Sequence, residues 1–359
     1  MKNKRILVTG ACGTIGAELI SQMLTKPECS PEEMIGLDNN ESQLFFMEQR
    51  YIDDARVNFY VADIRDRDEL MRKMAGVHIV FHAAALKHVI LSERSPEQVV
   101  QTNIQGVQNV IAASTENGVE GVIFTSSDKA VNPTNVMGTS KLMGERLITA
   151  ANSHKRGSGP IFASTRFGNV LGSNGSVVPV FHNQIAQGGP VTLTDPQMTR
   201  FVMSVREAVR LVIDSVALAR GGEVFITKMP VMRIADLATA MIEEIAPIYG
   251  FEPERIGIKI IGAKPGEKLY EELMNLEETR RAVELEDYFS VLPAFRGGYH
   301  DIVYDYPDVV TGEVTKPYIS AEEVSMTVPE VKKFLRENDL LSIPAAPGVC
   351  NSFPRKEEH

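Results

Sequence analysis

The sequence has few cysteines and no long apolar run, and each of these absences excludes a class of protein. Its three cysteines, Cys12, Cys29 and Cys350, lie far apart and form no Cys-x-x-Cys pair. Such spacing argues against a disulfide framework and a zinc site, and it suits a reducing compartment. No apolar run approaches the ~18–20 residues that a membrane-spanning helix needs. We therefore expect no metal site and no membrane partner.

Basic residues are also too few for a general role in nucleic-acid binding. The 359-residue chain carries a formal net charge of −10 and has a pI ≈ 5.3, so no positive field would gather phosphates. Any anionic substrate must be bound by local arginine, lysine and amide groups. The basic N-terminus, Met1–Arg5, runs directly into a predicted strand, so we expect no signal peptide and a cytoplasmic protein.

The first 170 residues alternate between short apolar runs and segments with helical periodicity. This alternation predicts βαβ units, and therefore an α/β fold of the Rossmann type with a doubly wound parallel sheet. Helices are predicted over 95–117 and 137–152. Strands are predicted at 5–9, 34–38, 57–61, 78–82, 122–125 and 161–165.

A glycine-rich loop follows the first predicted strand. It reads Gly10-Ala-Cys-Gly13-Thr-Ile-Gly16, and apolar residues at helical spacing come next. Glycines at these positions permit a tight turn, a close approach of the backbone to phosphate, and close packing of helix on strand. The helix start then offers free N–H groups to a pyrophosphate. The pattern predicts a dinucleotide site made of Gly10, Gly13, Thr14, Ile15 and Gly16.

An acid at the end of the second predicted strand narrows the choice of cofactor. Asp38 lies 22 residues after Gly16, close to the ~20-residue offset of a carboxylate that binds the adenosine ribose. Its charge would repel a 2′-phosphate, and the neighbouring Asn39, Asn40 and Glu41 supply no cation for one. We therefore expect NAD rather than NADP.

These patterns predict a division of the chain into regions. Residues 1–170 are expected to form the NAD-binding domain, and the segment 204–228 is expected to return to its sheet. Over 171–343, glycine and proline become frequent and the elements become shorter, which predicts mostly a smaller mixed α/β region that binds substrate. Residues 344–359 are expected to be a flexible tail.

Polar and charged side chains crowd around the end of the strand predicted at 122–125. Ser127, Asp128 and Lys129 follow it directly, and Lys141 lies in the next predicted helix. In an open parallel sheet, ligands bind at the carboxyl ends of the strands. We therefore predict that these four residues are catalytic and carry out proton transfer next to the cofactor.

Seven motifs lie between residues 9 and 273. They are Thr9-Gly10-x-x-Gly13-x-x-Gly16, Asp63-Ile-Arg65, His82-Ala-Ala-Ala-Leu-Lys87-His88-Val, Ser126-Ser-Asp-Lys-Ala-Val-Asn-Pro-Thr-Asn, Thr165-Arg-Phe-Gly-Asn-Val-Leu-Gly-Ser-Asn-Gly-Ser176, Thr194-Asp-Pro-x-Met-Thr-Arg-Phe201 and Lys264-Pro-Gly-Glu-Lys-Leu-Tyr-Glu-Glu-Leu273. Together they resemble the extended short-chain dehydrogenase/reductases of the CapD type, and more narrowly the UDP-N-acetylglucosamine 4,6-dehydratases. The resemblance covers the chain from residue 5 to about 275.

One position departs from the wider superfamily. Those enzymes usually carry Tyr-x-x-x-Lys, where the phenol takes a hydroxyl proton, whereas this chain has Met137-Gly-Thr-Ser-Lys141. Methionine has no titratable group, so Met137 cannot be the base. The resemblance is therefore to the dehydratase branch in which Met replaces Tyr. It implies conversion of UDP-N-acetylglucosamine to a 4-keto-6-deoxy sugar, with the C5 configuration retained.

The implied reaction needs an acid for the departing C6 hydroxyl, a base for the C5 proton, and a relay for the C4 hydroxyl. NAD takes hydride from C4 and returns it to C6. We assign the acid to Asp128, the base to Lys129, the C4 contact to Ser127, and binding of the nicotinamide ribose to Lys141. The roles of Asp128 and Lys129 could be reversed. A lysine base needs a lowered pKa, which partial burial and a second nearby amine favour.

The resemblance also implies further residues of the cofactor site. Asp63, Ile64 and Ala83 lie in matching motifs and are expected to bind NAD. Arg166, in the motif that begins at Thr165, is as readily structural as ligand-binding.

A separate set of residues is expected to bind the nucleotide sugar. Ser176 is predicted to cap a helix whose start, together with Asn169, binds the diphosphate. Arg200 is expected to be a bidentate phosphate clamp. Lys87 is expected to line the cleft, and Glu272 (or Glu267) to bind a ribose hydroxyl.

Other functions stay open at this point. A C4-epimerase or reductase on the same scaffold is disfavoured by Met137, because each normally relies on the tyrosine. A non-catalytic NAD-sensing scaffold protein is disfavoured because it would not need the Ser-Asp-Lys cluster. UDP is favoured over GDP by the resemblance alone. Members of the family suggest a homo-oligomer, whose order the sequence does not define.

Overall fold

A computed structural model describes residues 1–153, 159–173, 175–262, 266–295 and 302–342. The tail predicted at 344–359 lies outside these residues, as do Asn174 and the first two residues of the motif that begins at Lys264. In the described part of the chain, no helix is both long enough and apolar enough to cross a membrane.

Helices and strands alternate through the first half of the chain and become shorter in the second half. The strands are β1 (Arg5–Thr9), β2 (Glu33–Asp38), β3 (Val57–Val61), β4 (Ile79–His82), β5 (Gly121–Ser127), β6 (Ile161–Phe167), β7 (Asn169–Val170), β8 (Val191–Leu193), β9 (Thr199–Met203), β10 (Val224–Thr227), β11 (Val231–Arg233), β12 (Ile258–Ile260), β13 (Glu272–Met274), β14 (Ala282–Leu285), β15 (Tyr288–Val291), β16 (Val309–Thr311) and β17 (Tyr318–Ile319). The α-helices are α1 (Thr14–Thr25), α2 (Glu41–Arg50), α3 (Arg67–Lys73), α4 (Val89–Arg94), α5 (Pro96–Val99), α6 (Gly106–Glu116), α7 (Val136–Ser153), α8 (Val177–Ala186), α9 (Val205–Leu218), α10 (Ile234–Ile245), α11 (Leu276–Thr279) and α12 (Val328–Glu337). A π-helical segment, Val100–Gln105, joins α5 to α6, and a 3₁₀ turn, Asp128–Ala130, follows β5.

The main sheet contains ten strands in the spatial order β3-β2-β1-β4-β5-β6-β10-β15-β14-β16. The strands from β3 to β10 are parallel, and β15, β14 and β16 extend this sheet as antiparallel neighbours. The predicted α/β fold with a parallel Rossmann-type sheet is confirmed. The antiparallel strands come from the range that we expected to belong mostly to the substrate region, and the division of the chain into regions stays a prediction.

Both faces of the parallel strands are covered, which explains their continuous apolar runs. Successive side chains of a strand point to opposite faces. Ile6 and Val8 of β1 accordingly pack into a core with α1 and α9, whereas Leu7 packs into a second core with α3, α6 and α7. The helices on the two sides make the sheet doubly wound.

A smaller region is built next to the carboxyl ends of the parallel strands. Its core is formed by α8, α10 and α12 with residues of β8 and β9, and includes Phe181, Leu237, Met241, Val331 and Leu335. Two short sheets, β7-β9-β11 and β8-β12, support it. Because this region faces the strand ends, a cleft is left between it and the glycine loop.

Arg166 ties the main sheet to the second half of the chain. It lies on β6 and is 1% exposed. Its guanidinium donates to both carboxylate oxygens of Glu145 (2.9 and 2.7 Å), to both of Glu278 (2.7 and 2.8 Å) and to the carbonyl oxygen of Leu273 (2.9 Å). All five N–H donors are used within the protein, so Arg166 is structural rather than ligand-binding.

We expect Arg166→Met to lower the free energy of unfolding by about 3–5 kcal/mol, because it leaves two buried carboxylates without their counter-charge. The matched control is Arg336→Met. Arg336 also pairs with a glutamate, Glu244, at 2.6 Å, but its side chain is 63% exposed, and such pairs contribute about 0–1 kcal/mol. Urea unfolding of both variants measures the difference. Equal effects would contradict the structural role of the buried network.

Candidate active site

The glycine loop forms a tight cradle between β1 and α1. Gly10 has φ +72°, a left-handed conformation that favours glycine, and its N–H donates to the carbonyl oxygen of Leu37 at 2.8 Å. A Cβ on Gly16 would overlap the carbonyl oxygen of Gly10, so the helix can pack this closely only with glycine there. Gly13 is the N-cap residue of α1 and makes no side-chain capping bond, and the start of the helix lines a cleft. These residues fit a dinucleotide pyrophosphate.

Asp38 lies at the end of β2 beside this loop. Its Oδ2 accepts from the N–H of Cys12 at 3.0 Å, and its Oδ1 accepts from the N–H of Asn40 at 3.0 Å. The carboxylate is therefore held next to the loop that would carry the adenosine half of a dinucleotide. Burial, and then the charge of Asp38, raise the pKa of the Cys12 thiol to about 12, so Cys12 is a small packing residue and not a nucleophile.

A cleft of about 730 Å³, which we call the main cleft, runs from the glycine loop to the smaller region. It is lined by predicted site residues from every part of the chain: Gly10, Gly13, Thr14, Ile15, Gly16, Ala83, Lys87, Ser127, Lys129, Lys141, Asn169, Ser176 and Arg200. A second cavity of about 560 Å³, the side cavity, lies between α4 and the loop that precedes β13. The two cavities adjoin, because five residues line both of them: His88, Lys129, Asn169, Arg200 and Glu267.

Some predicted site residues lie outside the described lining of both cavities. Asp63 is paired with Arg65 at 2.6 Å, an interaction that lowers its pKa, and Ile64 packs under Gly106. Glu272 lies on β13, and its Oε2 accepts from the side-chain amide of Asn132 at 2.7 Å. The structure does not bring these three residues to the lining of either cavity. Asp38 and Asp128 are also absent from that lining, but Asp38 adjoins the glycine loop and Asp128 is fully buried next to Ser127 and Lys129. Their roles in binding stay predictions.

The Ser127–Asp128–Lys129 segment forms the most polar part of the site. Ser127 ends β5, and its Oγ accepts from the N–H of Lys129 at 3.3 Å, which caps the 3₁₀ turn. Asp128 is fully buried. Its Oδ1 accepts from Ser127 Oγ at 2.7 Å and from Lys129 Nζ at 3.0 Å, whereas Oδ2 has no hydrogen-bond partner among the described residues. Ser127 and Lys129 line the main cleft above it, so a proton can pass between the cleft and Asp128.

The pKa of Lys129 departs from our expectation. Burial lowers it, but the carboxylates of Asp128 and Glu271 raise it by more, so the net direction is upward. Lys129 is therefore an ammonium at neutral pH, and the lowered pKa that a lysine base needs is not present. The reversed assignment, with Lys129 as the acid, fits this environment better.

The lysine whose pKa is lowered is Lys141. Its Nζ donates to the carbonyl oxygen of Thr125 at 2.9 Å and lies 4.8 Å from the ring centre of Phe124. Burial lowers its pKa to about 8, although Glu145 opposes the shift. Met137, one helical turn earlier, lines the same wall and is 3% exposed. The Met-x-x-x-Lys spacing thus places an apolar side chain where a phenol would otherwise face the cleft.

Two candidates for diphosphate binding have different environments. Ser176 is the N-cap residue of α8, yet its Oγ makes no capping bond and is buried without a hydrogen-bond partner among the described residues. A ligand in the cleft could satisfy it. Arg200 donates to the carbonyl oxygens of Thr199 (2.7 Å), Lys268 (2.8 Å) and Leu269 (3.2 Å). Three of its five N–H donors are therefore already used, which leaves less of the guanidinium for the predicted clamp.

Two residues near the site were missed in the sequence. Asn103, within the π-helical segment, is 2% exposed. It bonds both the N–H and the carbonyl oxygen of Leu86 (2.8 and 2.9 Å) and Ser140 Oγ (2.9 Å), so it positions the loop that contains Ala83 and Lys87. The sequence feature that could have indicated Asn103 is a polar residue within an apolar helical stripe. The second missed residue is Glu271, beside Lys129. No sequence feature distinguishes it, because two further glutamates lie in the same motif.

The parallel sheet, the glycine loop and the lysine of the Met-x-x-x-Lys motif define the class of this protein, an extended short-chain dehydrogenase/reductase. Within that class, the chain belongs to the family described as "Polysaccharide biosynthesis protein", whose model matches residues 6–293. The predicted resemblance is confirmed at this level.

Named relatives point to nucleotide sugars. The chain is 51% identical over 292 residues to "Uncharacterized membrane protein MJ1061" of Methanocaldococcus jannaschii (81% of this chain, 86% of that protein). It is 38% identical over 294 residues to an inverting UDP-N-acetylglucosamine 4,6-dehydratase of Campylobacter jejuni (82% and 84%). It is 37% identical over 296 residues to a UDP-glucose 4-epimerase of Rickettsia canadensis (80% and 83%). The names of the Campylobacter jejuni and Rickettsia canadensis relatives support a nucleotide-sugar dehydratase or epimerase.

A solved structure supports the fold over almost the whole chain. The X-ray structure of Pen from Bacillus thuringiensis is 38% identical and superposes with a TM-score of 0.87, and the match covers 95% of this chain and 99% of that one. The arrangement of the smaller region against the sheet is therefore shared with an experimentally determined protein.

Proposed function

We propose that this protein is an NAD-dependent 4,6-dehydratase of UDP-N-acetylglucosamine. The observation that carries the proposal is the Ser127–Asp128–Lys129 cluster, whose Lys129 lines both cavities, in a main cleft that has Met137 in place of a tyrosine. A reaction of this type moves protons at two sugar carbons and needs both an acid and a base. The cluster supplies one carboxylate and one ammonium in direct contact.

The cofactor is NAD. The backbone at the start of α1 would bind its pyrophosphate, Asp38 the adenosine ribose, and Lys141 the nicotinamide ribose. When bound, NAD would supply the hydride acceptor for C4 and the hydride donor for C6. The carboxylate of Asp38 favours NAD over NADP because it would repel a 2′-phosphate.

The residues of the cluster then carry the protons. Ser127 Oγ hydrogen-bonds the C4 oxygen and passes its proton to Asp128, 2.7 Å away. Lys129 gives a proton to the departing C6 hydroxyl and recovers, across their 3.0 Å contact, the proton that Asp128 received from C4. The carboxylate of Asp128, freed in this way, accepts the C5 proton and returns it to C5 when hydride reaches C6, which restores the starting state. Both roles are the reverse of our first assignment, and the raised pKa of Lys129 supports the change.

The remaining polar groups of the main cleft bind the nucleotide sugar. Ser176 and the N–H groups at the start of α8 bind the diphosphate, with Asn169 at its edge. Lys87 also lines the main cleft, where partial burial lowers its pKa. The name of the Campylobacter jejuni relative supports UDP and an N-acetylated sugar, and a GDP-linked substrate is the alternative.

The test is incubation of the purified protein with UDP-, GDP-, dTDP- and CDP-linked sugars, followed by mass spectrometry. We expect loss of one water from UDP-N-acetylglucosamine. An unchanged mass with inverted C4 stereochemistry would support the second candidate, an epimerase, which the Rickettsia canadensis relative favours and Met137 disfavours. No reaction with any of the sugars would contradict a catalytic role and favour an NAD-sensing protein.

We further propose that the configuration at C5 is retained, as the Met-containing branch implies. The Campylobacter jejuni relative is named as inverting, so the outcome needs its own measurement. NMR coupling constants of the product ring, recorded before any non-enzymatic epimerisation, distinguish the two epimers. A product of inverted configuration would contradict this part of the proposal.

A homo-oligomer is also proposed. Several apolar side chains on neighbouring helical elements are exposed, and burying them against a second copy would be favourable. They are Ile90, Leu91, Val100 and Met143, which are 50%, 60%, 43% and 46% exposed. Light scattering at micromolar concentration would show a mass above 39.6 kDa.

A further inference from the structure

Glu271 is a buried acid whose environment is unusual for a residue next to a cavity. It directly precedes β13 and is 3% exposed. Its backbone is held by Ser320: the N–H of Glu271 donates to Ser320 Oγ at 3.0 Å, and its carbonyl oxygen accepts from the N–H of Ser320 at 2.9 Å. This double contact with the end of β17 fixes the direction of the side chain. The side chain lines the side cavity.

The carboxylate of Glu271 faces two cations. Its Oε1 lies 3.6 Å from Lys129 Nζ and 3.7 Å from Arg200 Nε. Its Oε2 has no hydrogen-bond partner in the described part of the chain. Lys129 therefore lies between two buried carboxylates, Asp128 at 3.0 Å and Glu271 at 3.6 Å. Because burying an unpaired ammonium is costly, both carboxylates stabilise its charged form.

We propose that Glu271 is a positioning residue that keeps Lys129 protonated and aimed at the sugar, and so makes Lys129 the acid and Asp128 the base. This inference rests on the proposed dehydratase function and concerns the same site. It favours one of the two assignments that the sequence left open, because the geometry places a second carboxylate beside Lys129. Asp128 has no comparable second cation among the residues that the structure describes.

Other charged groups surround the cluster. Arg200 supplies a second positive charge near Glu271, and Lys268 supplies a third, although its Nζ donates to the carbonyl oxygen of Val131 at 2.9 Å. Glu267 lies 4.0 Å from Arg200, and His88 lines the cavity wall. Burial raises the pKa of Glu271, and the charge of Lys129 opposes that shift. The carboxylate of Glu271 can therefore take up a proton when Lys129 gives up its own.

The sign of the effect on Lys129 distinguishes an acid from a base. A nearby negative charge raises the pKa of an ammonium, so its removal should lower that pKa by about 1–3 pH units. If Lys129 acts as the acid, activity falls at high pH as the ammonium loses its proton, and removing Glu271 moves that fall towards neutral pH. If Lys129 acts as the base, removing Glu271 would increase activity at neutral pH.

The experiment is the pH dependence of kcat for Glu271→Gln with UDP-N-acetylglucosamine, followed as loss of water. We expect the alkaline fall in kcat to move down by about 1–3 pH units, with NAD binding and the KM for the sugar unchanged. The matched control is Glu284→Gln, which removes a carboxylate 2.7 Å from Lys228 on a strand outside both cavities. Its profile should match that of the unmodified protein. Higher activity of Glu271→Gln at pH 7 would overturn the inference.

A second readout does not require turnover. Acylation of Lys129 by an amine-reactive reagent, followed over pH by peptide mass spectrometry, reports its pKa directly. We expect the pH midpoint of acylation to be lower in Glu271→Gln. Glu271→Asp should show a smaller shift in the same direction, because it keeps the negative charge but moves it further from Lys129. If Glu271→Gln fails to fold, Glu271→Asp carries the test. An unchanged midpoint overturns the inference, whereas a shifted midpoint in a protein that dehydrates no sugar contradicts only the proposed function.

Discussion

Lys129→Ala is expected to lower kcat about 10²–10⁴-fold, the usual contribution of a positioned acid or base. Lys129 is the member of the Ser127–Asp128–Lys129 segment that lines both cavities, so its removal takes away the proton donor at the sugar. Among the described residues, it also leaves Asp128 with only Ser127 Oγ as a side-chain donor. The affinity for NAD should stay unchanged, because the glycine loop is untouched. Single-turnover assays with a titration of NAD would separate the two effects.

Two further variants, one of them a control, test this prediction more closely. Lys333→Ala removes a lysine that is 74% exposed on α12 and should leave kcat unchanged. Asp128→Asn removes the carboxylate without changing its shape and should lower kcat by a similar factor, again with NAD bound. Activity of Lys129→Ala close to that of the unmodified protein would exclude Lys129 from the mechanism.

Gly16→Ala is expected to lose most of the affinity for NAD and to lower the melting temperature. An added Cβ would overlap the carbonyl oxygen of Gly10, so either α1 or the loop must move. Overpacking of this kind costs about 1–3 kcal/mol, and the displaced loop no longer presents its N–H groups to a pyrophosphate. Fluorescence titration with NADH and thermal unfolding measure the two effects.

Gly121→Ala is the matched control for that substitution. Gly121 begins β5, and an added Cβ there would lie 3.9 Å from its nearest neighbour, the carbonyl oxygen of Ile161. We expect little change in either NADH affinity or melting temperature. Normal NADH binding by Gly16→Ala would contradict the assignment of the loop to the cofactor.

The first half of the fold could be predicted because its strands are buried on both faces. β1 and β3 lie at the predicted residues, and β2, β4, β5 and β6 differ from prediction by one or two residues at an end. Continuous apolar runs separated by helical periodicity leave few alternatives. The helix predicted over 95–117 is also present, but with a π-helical segment whose extra residue per turn no local pattern indicates.

The extension of the sheet could not be predicted. β14, β15 and β16 are short, partly exposed and antiparallel, and nothing in their own sequence indicates that β15 pairs with β10. Pairing over more than 60 residues of chain depends on tertiary packing rather than local propensity. For the same reason the partners of Arg166 could not be predicted. One comes from α7, and the other comes from α11, over 100 residues further along the chain.

The candidate site was predicted in its composition but not in its electrostatics. The residues on the loop, on β5 and on α7 meet at the strand ends, as the parallel topology requires. The pKa of Lys129 was expected to be lowered, which is wrong, because the second carboxylate comes from Glu271, 142 residues further along the chain. The lowered pKa belongs to Lys141 instead.

The most direct test of the whole account uses UDP-N-acetylglucosamine that carries deuterium at C4. If NAD bound against the Ser127–Asp128–Lys129 cluster takes hydrogen from C4 and returns it within one turnover, the product has lost one water and carries the deuterium at C6. Mass spectrometry and NMR of the product give both answers. Recovery of the sugar with its water intact, or a dehydrated product without the label at C6, would contradict the account.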